Sequence, residues 1–446
     1  MKTTLLFVSV FLSVSLFGQY TQIPDSNFEQ ALINFGHDDV IDGQVLTSNI
    51  SGVTQLTIFG QGISDLTGIE AFTALIVLEC YDNHLTSLDM SQNAALVYLN
   101  CSQNELLSLN VNSASDLNVL KCFSNFQLTS LDVSHNTSLT ELSCQYNQLP
   151  SLDVSQNIAL IDLNCSGNQI TSLDVSQNIA LNYLTCSFNQ LPSLDVSQNI
   201  ALNYLVCSGN QLPSLDVSQN TVLTNLACRN NQITSLNLSQ NTALTSLDCV
   251  DNQLTNLDVS NNTALTNFSC ASNQLPSLDV SQNIALLTLY FSNNEITSLD
   301  VSNNTALTSL LCNANQLTSL DLSQNTTLEK LRCSSNQLNC LNISNGNNSN
   351  FYFMEAYNNP NLTCIEVDYA AWSTANWTDI DLQTSFSEDC NNDCSTSTVG
   401  LTELTTSKTL IQILDLMGRE TTFKPNTPLI YVYDDGSTEK VFSVEY

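Results

Sequence analysis

The chain has 446 residues, of which 42 are aspartate or glutamate and 9 are lysine or arginine, giving a formal net charge of −33. Such a charge repels nucleic-acid phosphates and anionic lipid surfaces, so we expect no nucleic-acid partner and no docking on a membrane. Sixteen cysteines are typical of a disulfide-rich secreted protein, but most of them recur at a regular interval, so their position matters more than their number.

The N-terminal 18 residues have the features of a secretory signal peptide. Lys2 supplies the positive start, residues 5–17 form an apolar run, and Gly18 is a small residue at the expected cleavage edge. The run is too short for a comfortable membrane span, and no other stretch approaches that length, so we predict no transmembrane segment. An uncleaved N-terminal anchor is the alternative.

Residues 19–50 lack the repeat that follows and are predicted to form an N-terminal cap. The sequence Ser26-Asn27-Phe28-Glu29 is a capping box, which favours a helix beginning there. Apolar residues then follow at helical spacing: Phe28, Ala31, Leu32 and Phe35. A short amphipathic helix at this place would cover the open edge of the first repeat, which would otherwise invite aggregation.

A 21-residue unit repeats through residues 51–368. The unit at 181–201 reads LNYLTCSFNQLPSLDVSQNIA, and six cysteines follow one another at 21-residue intervals: Cys165, Cys186, Cys207, Cys228, Cys249 and Cys270. A fixed period of this length is typical of a solenoid, in which each turn stacks on the previous one. We count about fifteen turns, beginning near Val53.

The unit resembles the leucine-rich repeat through Leu181-x-x-Leu184-x-Cys186-x-x-Asn189-x-Leu191. Leu184 and Cys186 alternate with exposed neighbours, as a short strand requires. The rest of each unit is too short, and too rich in Ser, Asp, Asn and Pro, for a full helix. We therefore predict a β-solenoid-like leucine-rich-repeat array of parallel β ladders with little helix. The resemblance implies a concave face made by the strands.

The repeating cysteines form one column of the predicted core. Cysteine behaves as a small, mostly buried apolar residue, and Ile58, Phe291 and Ala356 replace it without disturbing the period. A chain of metal sites would not tolerate those replacements, and zinc needs converging ligands. We predict free buried thiols, no metal and no cofactor. Disulfides between neighbouring turns are the alternative, because the Cα atoms lie within range.

Four cysteines stand outside that column. Cys340 and Cys364 occupy the same slot of consecutive turns, where other turns have serine. That slot places them one ladder step apart, so we favour a Cys340–Cys364 disulfide. Cys390 and Cys394 are further candidates, and four cysteines allow three pairings.

Two polar columns accompany the apolar ones. The asparagines should bind backbone groups at a buried bend, because an amide both donates and accepts: Asn83, Asn104, Asn125, Asn147, Asn168, Asn189, Asn210, Asn231, Asn252, Asn273, Asn294, Asn315, Asn336 and Asn359. The aspartates should form a solvated edge: Asp89, Asp132, Asp153, Asp174, Asp195, Asp216, Asp258, Asp279, Asp300 and Asp321. A calcium-binding edge is the alternative for the aspartates.

Ligand binding should use the strand positions that the repeat leaves free. These positions vary between turns and carry aromatic residues, which are typical of interfaces: Tyr98, Phe123, Tyr183, Tyr204 and Tyr290. The three histidines lie in distant turns, and no nucleophile stands beside a base, so we predict no catalysis. The favoured function is recognition of an extracellular protein or glycan, as in adhesion. A structural spacer or matrix component is the alternative.

The last segments differ from the repeat. Residues 369–394 should form a C-terminal cap around Trp372 and Trp377, and 395–399 a linker. The tail then alternates like strands, with residues 409–415 and 428–433 separated by a turn. A small β module that packs on the solenoid is one interpretation.

The tail also resembles the C-terminal sorting domain of the type IX secretion system. The resemblance covers residues 409–446 and rests on M-G-R-E and P-L-I-Y-V-Y-D-D-G followed by a lysine, which contain Gly418, Arg419, Gly436 and Lys440. Met417 stands where such tails more often have Leu or another small apolar residue, which is a minor departure. The resemblance implies that residues 395–446 comprise a linker and a sorting domain, and that an outer-membrane translocon reads this tail, which is usually cleaved afterwards. It also implies that the mature protein is secreted or displayed on the cell surface.

Overall fold

The structure is a computed structural model that describes residues 19–391, 394, 410–415, 419–422, 429–433 and 438–441. The chain divides into two compact units, Met1–Cys394 and Ser395–Tyr446. The predicted signal peptide and linker lie outside the described residues. None of the helices in the described ranges is long and apolar enough to cross a membrane.

The first unit is a solenoid built on one parallel sheet of fifteen three-residue strands. Partners in successive strands occupy the same place in the repeat, so that Tyr183 pairs with Tyr204 and Leu184 with Leu205. The strands are Gln55–Thr57, Val77–Glu79, Tyr98–Asn100, Val119–Lys121, Glu141–Ser143, Asp162–Asn164, Tyr183–Thr185, Tyr204–Val206, Asn225–Ala227, Ser246–Asp248, Asn267–Ser269, Thr288–Tyr290, Ser309–Leu311, Lys330–Arg332 and Phe353–Glu355. The fifteen predicted turns are confirmed.

The second side of each turn is made mainly of tight turns and extended segments. Regular strands form there only near the two ends of the described array, where Ser87–Asp89 pairs with Ser108–Asn110. A four-stranded parallel sheet lies at the C-terminal end: Ser319–Asp321, Cys340–Asn342, Cys364–Glu366 and Ser385–Ser387. Two short 3₁₀ helices, Ile69–Ala71 and Asn348–Asn350, complete the described array. The prediction of parallel ladders with little helix is confirmed.

The N-terminal cap contains an antiparallel pair of strands and two helices. Tyr20–Gln22 pairs with Gln44–Leu46, and the helices are Ser26–Asn34 and Thr47–Ile50. The first helix buries Phe28 and Leu32 against the solenoid core.

The N-cap residue of the first helix is Asp25 rather than the predicted Ser26. One Asp25 carboxylate oxygen accepts the backbone N–H groups of Asn27 and Phe28, at 2.8 and 3.1 Å. Its other oxygen accepts the backbone N–H and hydroxyl of Ser64 in the first turns, at 2.7 and 2.9 Å. Asp25 therefore caps the helix and ties it to the repeats, a double role that a serine hydroxyl cannot fill.

The C-terminal cap is a helix, Ala370–Asn376, followed by a segment that returns over the last turns. Two disulfides hold that segment: Cys340 to Cys394 and Cys364 to Cys390, with Cα–Cα distances of 5.4 and 5.9 Å. The predicted Cys340–Cys364 bridge is therefore wrong. Neighbouring parallel strands lie about 4.8 Å apart with parallel side chains, whereas disulfide Cβ atoms prefer about 3.8 Å. The returning segment instead brings Cys394 next to Cys340 and Cys390 next to Cys364.

The second unit is described as a three-stranded antiparallel sheet with strands Leu410–Asp415, Leu429–Tyr433 and Thr438–Val441. The middle strand pairs with both others. Lys440 lies in the third strand, and Arg419 lies between the first two. Gly418 and Gly436 lie outside the described residues, so the predicted sorting signal stays a prediction.

Candidate binding surface

The strand face is the outward side of the fifteen-stranded sheet. We define it by the first and third residues of each strand and the residue two positions after the strand. The middle residue of a strand, such as Leu184 or Leu205, points into the core and is fully buried, because strand side chains alternate. The strand face is thus free of the residues that build the core.

Tyr183 and Tyr204 lie next to each other on this face. They are paired in register in neighbouring strands, and their ring centroids are 6.0 Å apart at an interplanar angle of 40°. The side chain of Tyr183 is 44% exposed. Such a tilted pair offers a rigid apolar surface whose hydroxyls remain able to bind polar groups.

The other predicted aromatic residues are not part of this pair. Tyr98 lies four strands before Tyr183 in the sheet, and Tyr290 lies four strands after Tyr204. Phe123 follows a strand three places before Tyr183. All three side chains are partly buried. The structure therefore groups only two of the five predicted ligand-binding residues.

An isoleucine ridge precedes the strands of the tyrosine pair in the chain. We use this name for Ile158, Ile179 and Ile200, which occupy one repeat position in three successive turns and are 61%, 62% and 63% exposed. The ridge precedes the strands, so only three residues separate Ile179 from Tyr183. Sequence reasoning missed the ridge because it considered only the strand. The available signal was isoleucine at a position where other turns have Thr221, Thr242 or Thr263.

Every basic residue of the repeats lies on the strand face. Lys121 pairs with Glu141 at 3.0 Å, Arg229 lies 3.9 Å from Asp248, and Arg332 pairs with Glu355 at 2.9 Å. The fourth is Lys330, whose Nζ lies 5.9 Å from the centroid of the Phe353 ring.

The acidic residues have the opposite distribution. Residues 51–368 contain 25 aspartates and glutamates, and only five of them lie on the strand face: Glu79, Glu141, Asp162, Asp248 and Glu355. With four cations beside five carboxylates, the strand face is nearly neutral. The remaining surface of the repeats carries no lysine or arginine, so its charge is negative. The strand face therefore suits a neutral or acidic partner, which the remaining surface would not attract.

The aspartate column stabilises turns. Oδ1 of Asp153 accepts the backbone N–H of Ser155 at 2.9 Å, and this hydrogen bond holds the pKa of the carboxyl below its usual value. The same bond recurs in the other turns, for example from Ser176 to Asp174 and from Ser197 to Asp195. Within the described residues, no three His, Cys, Asp or Glu side chains are arranged to hold a metal ion.

The predicted asparagine column is confirmed as a structural one. Nδ2 of Asn189 donates to the carbonyls of Cys165 and Cys186, both at 3.1 Å, and its Oδ1 accepts the Ile170 N–H at 3.0 Å. Each such asparagine therefore joins two turns through buried backbone groups.

A second asparagine column went unnoticed in the sequence. Nδ2 of the fully buried Asn199 donates to the carbonyls of Val175 and Asn178, both at 2.9 Å. Equivalent bonds recur along the array through Asn93, Asn136, Asn157, Asn178, Asn220, Asn241, Asn262, Asn283, Asn304 and Asn325. The signal was the asparagine that ends every SLDVSQN segment.

Twelve buried free cysteines line the core, which confirms the thiol prediction. They are Cys80, Cys101, Cys122, Cys144, Cys165, Cys186, Cys207, Cys228, Cys249, Cys270, Cys312 and Cys333. Burial raises the pKa of the Cys165 and Cys207 thiols to about 12. Neutral, inaccessible thiols are neither nucleophiles nor metal ligands.

The fold and the thiol column recur in known structures. The functional domain of InlJ from Listeria monocytogenes, described as including a cysteine ladder, is 30% identical, with a TM-score of 0.64 over 96% of this chain and 99% of that one. A leucine-rich-repeat protein of Leptospira interrogans is 24% identical (TM-score 0.60), covering 82% of this chain and 100% of that one. An internalin of Listeria monocytogenes is 21% identical (TM-score 0.60), covering 78% and 96%.

The similarities to the Leptospira protein and to the internalin, at 24% and 21% identity, show the fold alone. No protein-family model matches the sequence, and no curated protein matches it. The similarity to InlJ spans nearly the whole of both chains, and the cysteine ladder in the description of that domain has a counterpart in the buried cysteine column of this core. The chain therefore belongs to the bacterial leucine-rich-repeat proteins.

Proposed function

We propose that the chain is a non-catalytic binding protein that recognises an extracellular protein through the strand face around Tyr183 and Tyr204. The observation that carries this proposal is the tilted tyrosine pair on the strand face, with an exposed isoleucine of the ridge four residues before each tyrosine. Large exposed apolar patches on monomeric proteins commonly mark interaction sites. Aromatic residues with a neutral surround are typical of the core of an interface.

The proposal includes an extracellular location. Two disulfides staple the C-terminal turns, and disulfides persist in oxidising compartments. The signal-like residues 1–18 agree with export. We further propose that the type IX translocon recognises the C-terminal unit through Gly418, Arg419, Gly436 and Lys440, and that the mature chain is released or displayed at the surface.

The absence of catalysis in this proposal follows from the chemistry of the described side chains. The thiols are buried and neutral, and His84 is an exposed residue 3.2 Å from Glu105. Contrary to the prediction that no nucleophile stands beside a base, His135 Nδ1 lies 3.1 Å from the Ser134 hydroxyl, but that hydroxyl donates to Asp132 at 2.7 Å. A structural spacer is the second candidate, which the uniform asparagine columns favour, because they stabilise every turn alike. A spacer would not need the exposed isoleucines, however.

Binding to a panel of purified extracellular proteins and glycans tests the proposal. The full chain is immobilised, and the affinity of each bound partner is measured again with the double variant Tyr183→Ala/Tyr204→Ala. We expect a loss of at least tenfold, because interface aromatics often contribute more than 1.4 kcal/mol each. The matched control is Gln198→Ala/Gln219→Ala, which changes exposed side chains in the same two turns.

An unchanged affinity in the tyrosine variant would place the binding site elsewhere and overturn the proposal. Failure of every protein and glycan in the panel to bind would favour the spacer.

A further inference from the structure

A cleft of about 230 Å³ lies at the C-terminal end of the solenoid. One wall is the last strand of the main sheet with its approach, which contributes Tyr352 and Phe353. The other wall is the C-terminal cap, which contributes Trp372, Trp377 and Asp379. This cleft lies eight strands beyond Tyr183 in sheet order, so it is separate from the proposed protein-binding surface.

Packed aromatic rings fix the shape of the cleft. The Trp377 ring lies 5.6 Å from Trp372 in an edge-on arrangement and 5.4 Å from Phe351. Tyr352, by contrast, is 70% exposed. The buried Trp377 and the partly buried Trp372 therefore form a fixed inner wall, and the exposed Tyr352 ring lies at the rim, as in many sites for small ligands.

Trp377 also carries an unpaired donor. Its indole N–H is buried and has no hydrogen-bond partner among the described residues. A buried N–H without an acceptor costs about 1–3 kcal/mol. Because this nitrogen is closed off from solvent, Trp377 contributes its ring rather than its N–H to the cleft.

Charge narrows the ligand class further. Asp379 lines the cleft, and the chain as a whole carries −33, so an anionic ligand is disfavoured. A cation is disfavoured as well, because Lys330 and Arg332 already lie 5.9 and 5.1 Å from the centroid of the Phe353 ring. The remaining class is a neutral ligand with both donors and acceptors.

We propose that this cleft binds one pyranose unit of a neutral saccharide. The C–H face of a sugar ring packs against aromatic rings such as Tyr352 and Trp372, and its hydroxyls donate to the Asp379 carboxylate. Each of these contacts matches a group that lines the cleft.

Tryptophan fluorescence tests the proposal directly, because the chain has two tryptophans and both line the cleft. The full chain is titrated with the methyl glycosides of glucose, galactose, mannose and N-acetylglucosamine. We expect a saturable change in emission with at least one of them, with half-saturation in the millimolar range that a single small contact surface gives.

Two variants separate specific binding from other effects. Tyr352→Ala should weaken the sugar response at least tenfold, because it removes the exposed ring at the rim. The matched control, Tyr357→Ala, removes an aromatic residue of the same turn that is 47% exposed and lies outside the cleft. The control should respond as the wild type does.

Three results would overturn the proposal. They are no saturable response to any of the four glycosides, an equal response in Tyr352→Ala and the wild type, and saturation by choline but not by sugars. A thermal melting curve of each variant confirms that the cap remains folded.

Discussion

The middle and the C-terminal end of the solenoid are stabilised in different ways. In the middle, each turn is joined to the next by buried thiols and by two asparagine columns, exemplified by Asn189 and Asn199. At the C-terminal end, the cysteines leave the core column and form two disulfides, and aromatic rings cluster around Trp377.

The difference follows from the number of neighbours that a turn has. A middle turn has a neighbouring turn on both sides, so equivalent side chains in successive turns can pack and hydrogen-bond in the same way. The last turn has no further repeat to accept its hydrogen bonds, and a covalent staple and a bulky cap replace that support. The same comparison concerns the strand face. Because the core alone stabilises the middle turns, their strand-face side chains remain free to bind a ligand.

The largest expected effect is alkaline unfolding of the middle turns under reducing conditions. Burial raises the pKa of the Cys80, Cys165 and Cys207 thiols to about 12, well above the ordinary value for cysteine. The unfolded chain therefore loses thiol protons first, so stability is complete below about pH 9 and falls as the pH rises towards the folded value. Each thiol contributes up to about 1.4 kcal/mol per pH unit.

Denaturant titrations at pH 8, 9 and 10 measure this loss. The variant Cys165→Ala/Cys186→Ala/Cys207→Ala should show a shallower pH dependence, since three titrating groups are gone. Equal slopes for the variant and the wild type would contradict the assigned role of the thiol column.

Removal of the Cys340–Cys394 disulfide should destabilise the C-terminal end alone. The bridge closes a segment of 54 residues, so the chain-entropy estimate of its contribution is about 4 kcal/mol. In Cys340→Ala/Cys394→Ala, hydrogen exchange should accelerate in residues 340–391 and remain unchanged in residues 165–250. Peptide mapping of the unreduced wild type provides the control, and recovery of a Cys340–Cys364 peptide would contradict the pairing.

Asn199→Ala should cost about 2 kcal/mol in the middle of the array. It removes two buried hydrogen bonds, from Nδ2 to the carbonyls of Val175 and Asn178, and each such bond contributes about 0.5–1.5 kcal/mol. Both carbonyls keep a backbone N–H donor, from Asn178 and Leu181 respectively. Gln198→Ala, at the adjacent exposed position, should change the free energy of unfolding by less than about 0.5 kcal/mol. Chemical denaturation compares the two, and similar values would show that the column does not stabilise the fold.

The smallest effect on stability is expected at the isoleucine ridge. In Ile158→Thr/Ile179→Thr/Ile200→Thr, each new threonine is the residue that other turns use at that position, so the melting temperature should hardly change. Affinity for a strand-face ligand should nevertheless fall. The control is Ile284→Thr, an isoleucine at the same repeat position that is 62% exposed in a distant turn. Equal affinities for the triple variant and this control would remove the ridge from the binding surface.

The parts of the structure that depend on stacking were predictable from the sequence. Once Cys165, Cys186 and Cys207 recur at one interval, they must lie above one another, and their burial follows from the replacements Ile58 and Phe291. The hydrogen bonds of Asn189 and its equivalents follow for the same reason. Periodicity transfers each local argument to every turn.

The features that depend on the path of the chain outside the repeat were not predictable. The pairing of Cys340 with Cys394 requires the route of the segment after Asn376, which no period determines. The contact of Asp25 with Ser64 likewise depends on how the cap docks. The cleft at Trp377 arises only when that cap closes over the last strand.

Deletion of a single repeat tests the central claim, that stacked turns carry the fold while the strand face of particular turns carries the binding. Two 21-residue deletions are compared by circular dichroism and by affinity for the panel ligand, namely residues 183–203 and residues 246–266. Both variants should keep a β-rich spectrum and a cooperative melt, and only the first should lose at least tenfold in affinity. Unfolding of either variant, or equal binding by both, would contradict the account.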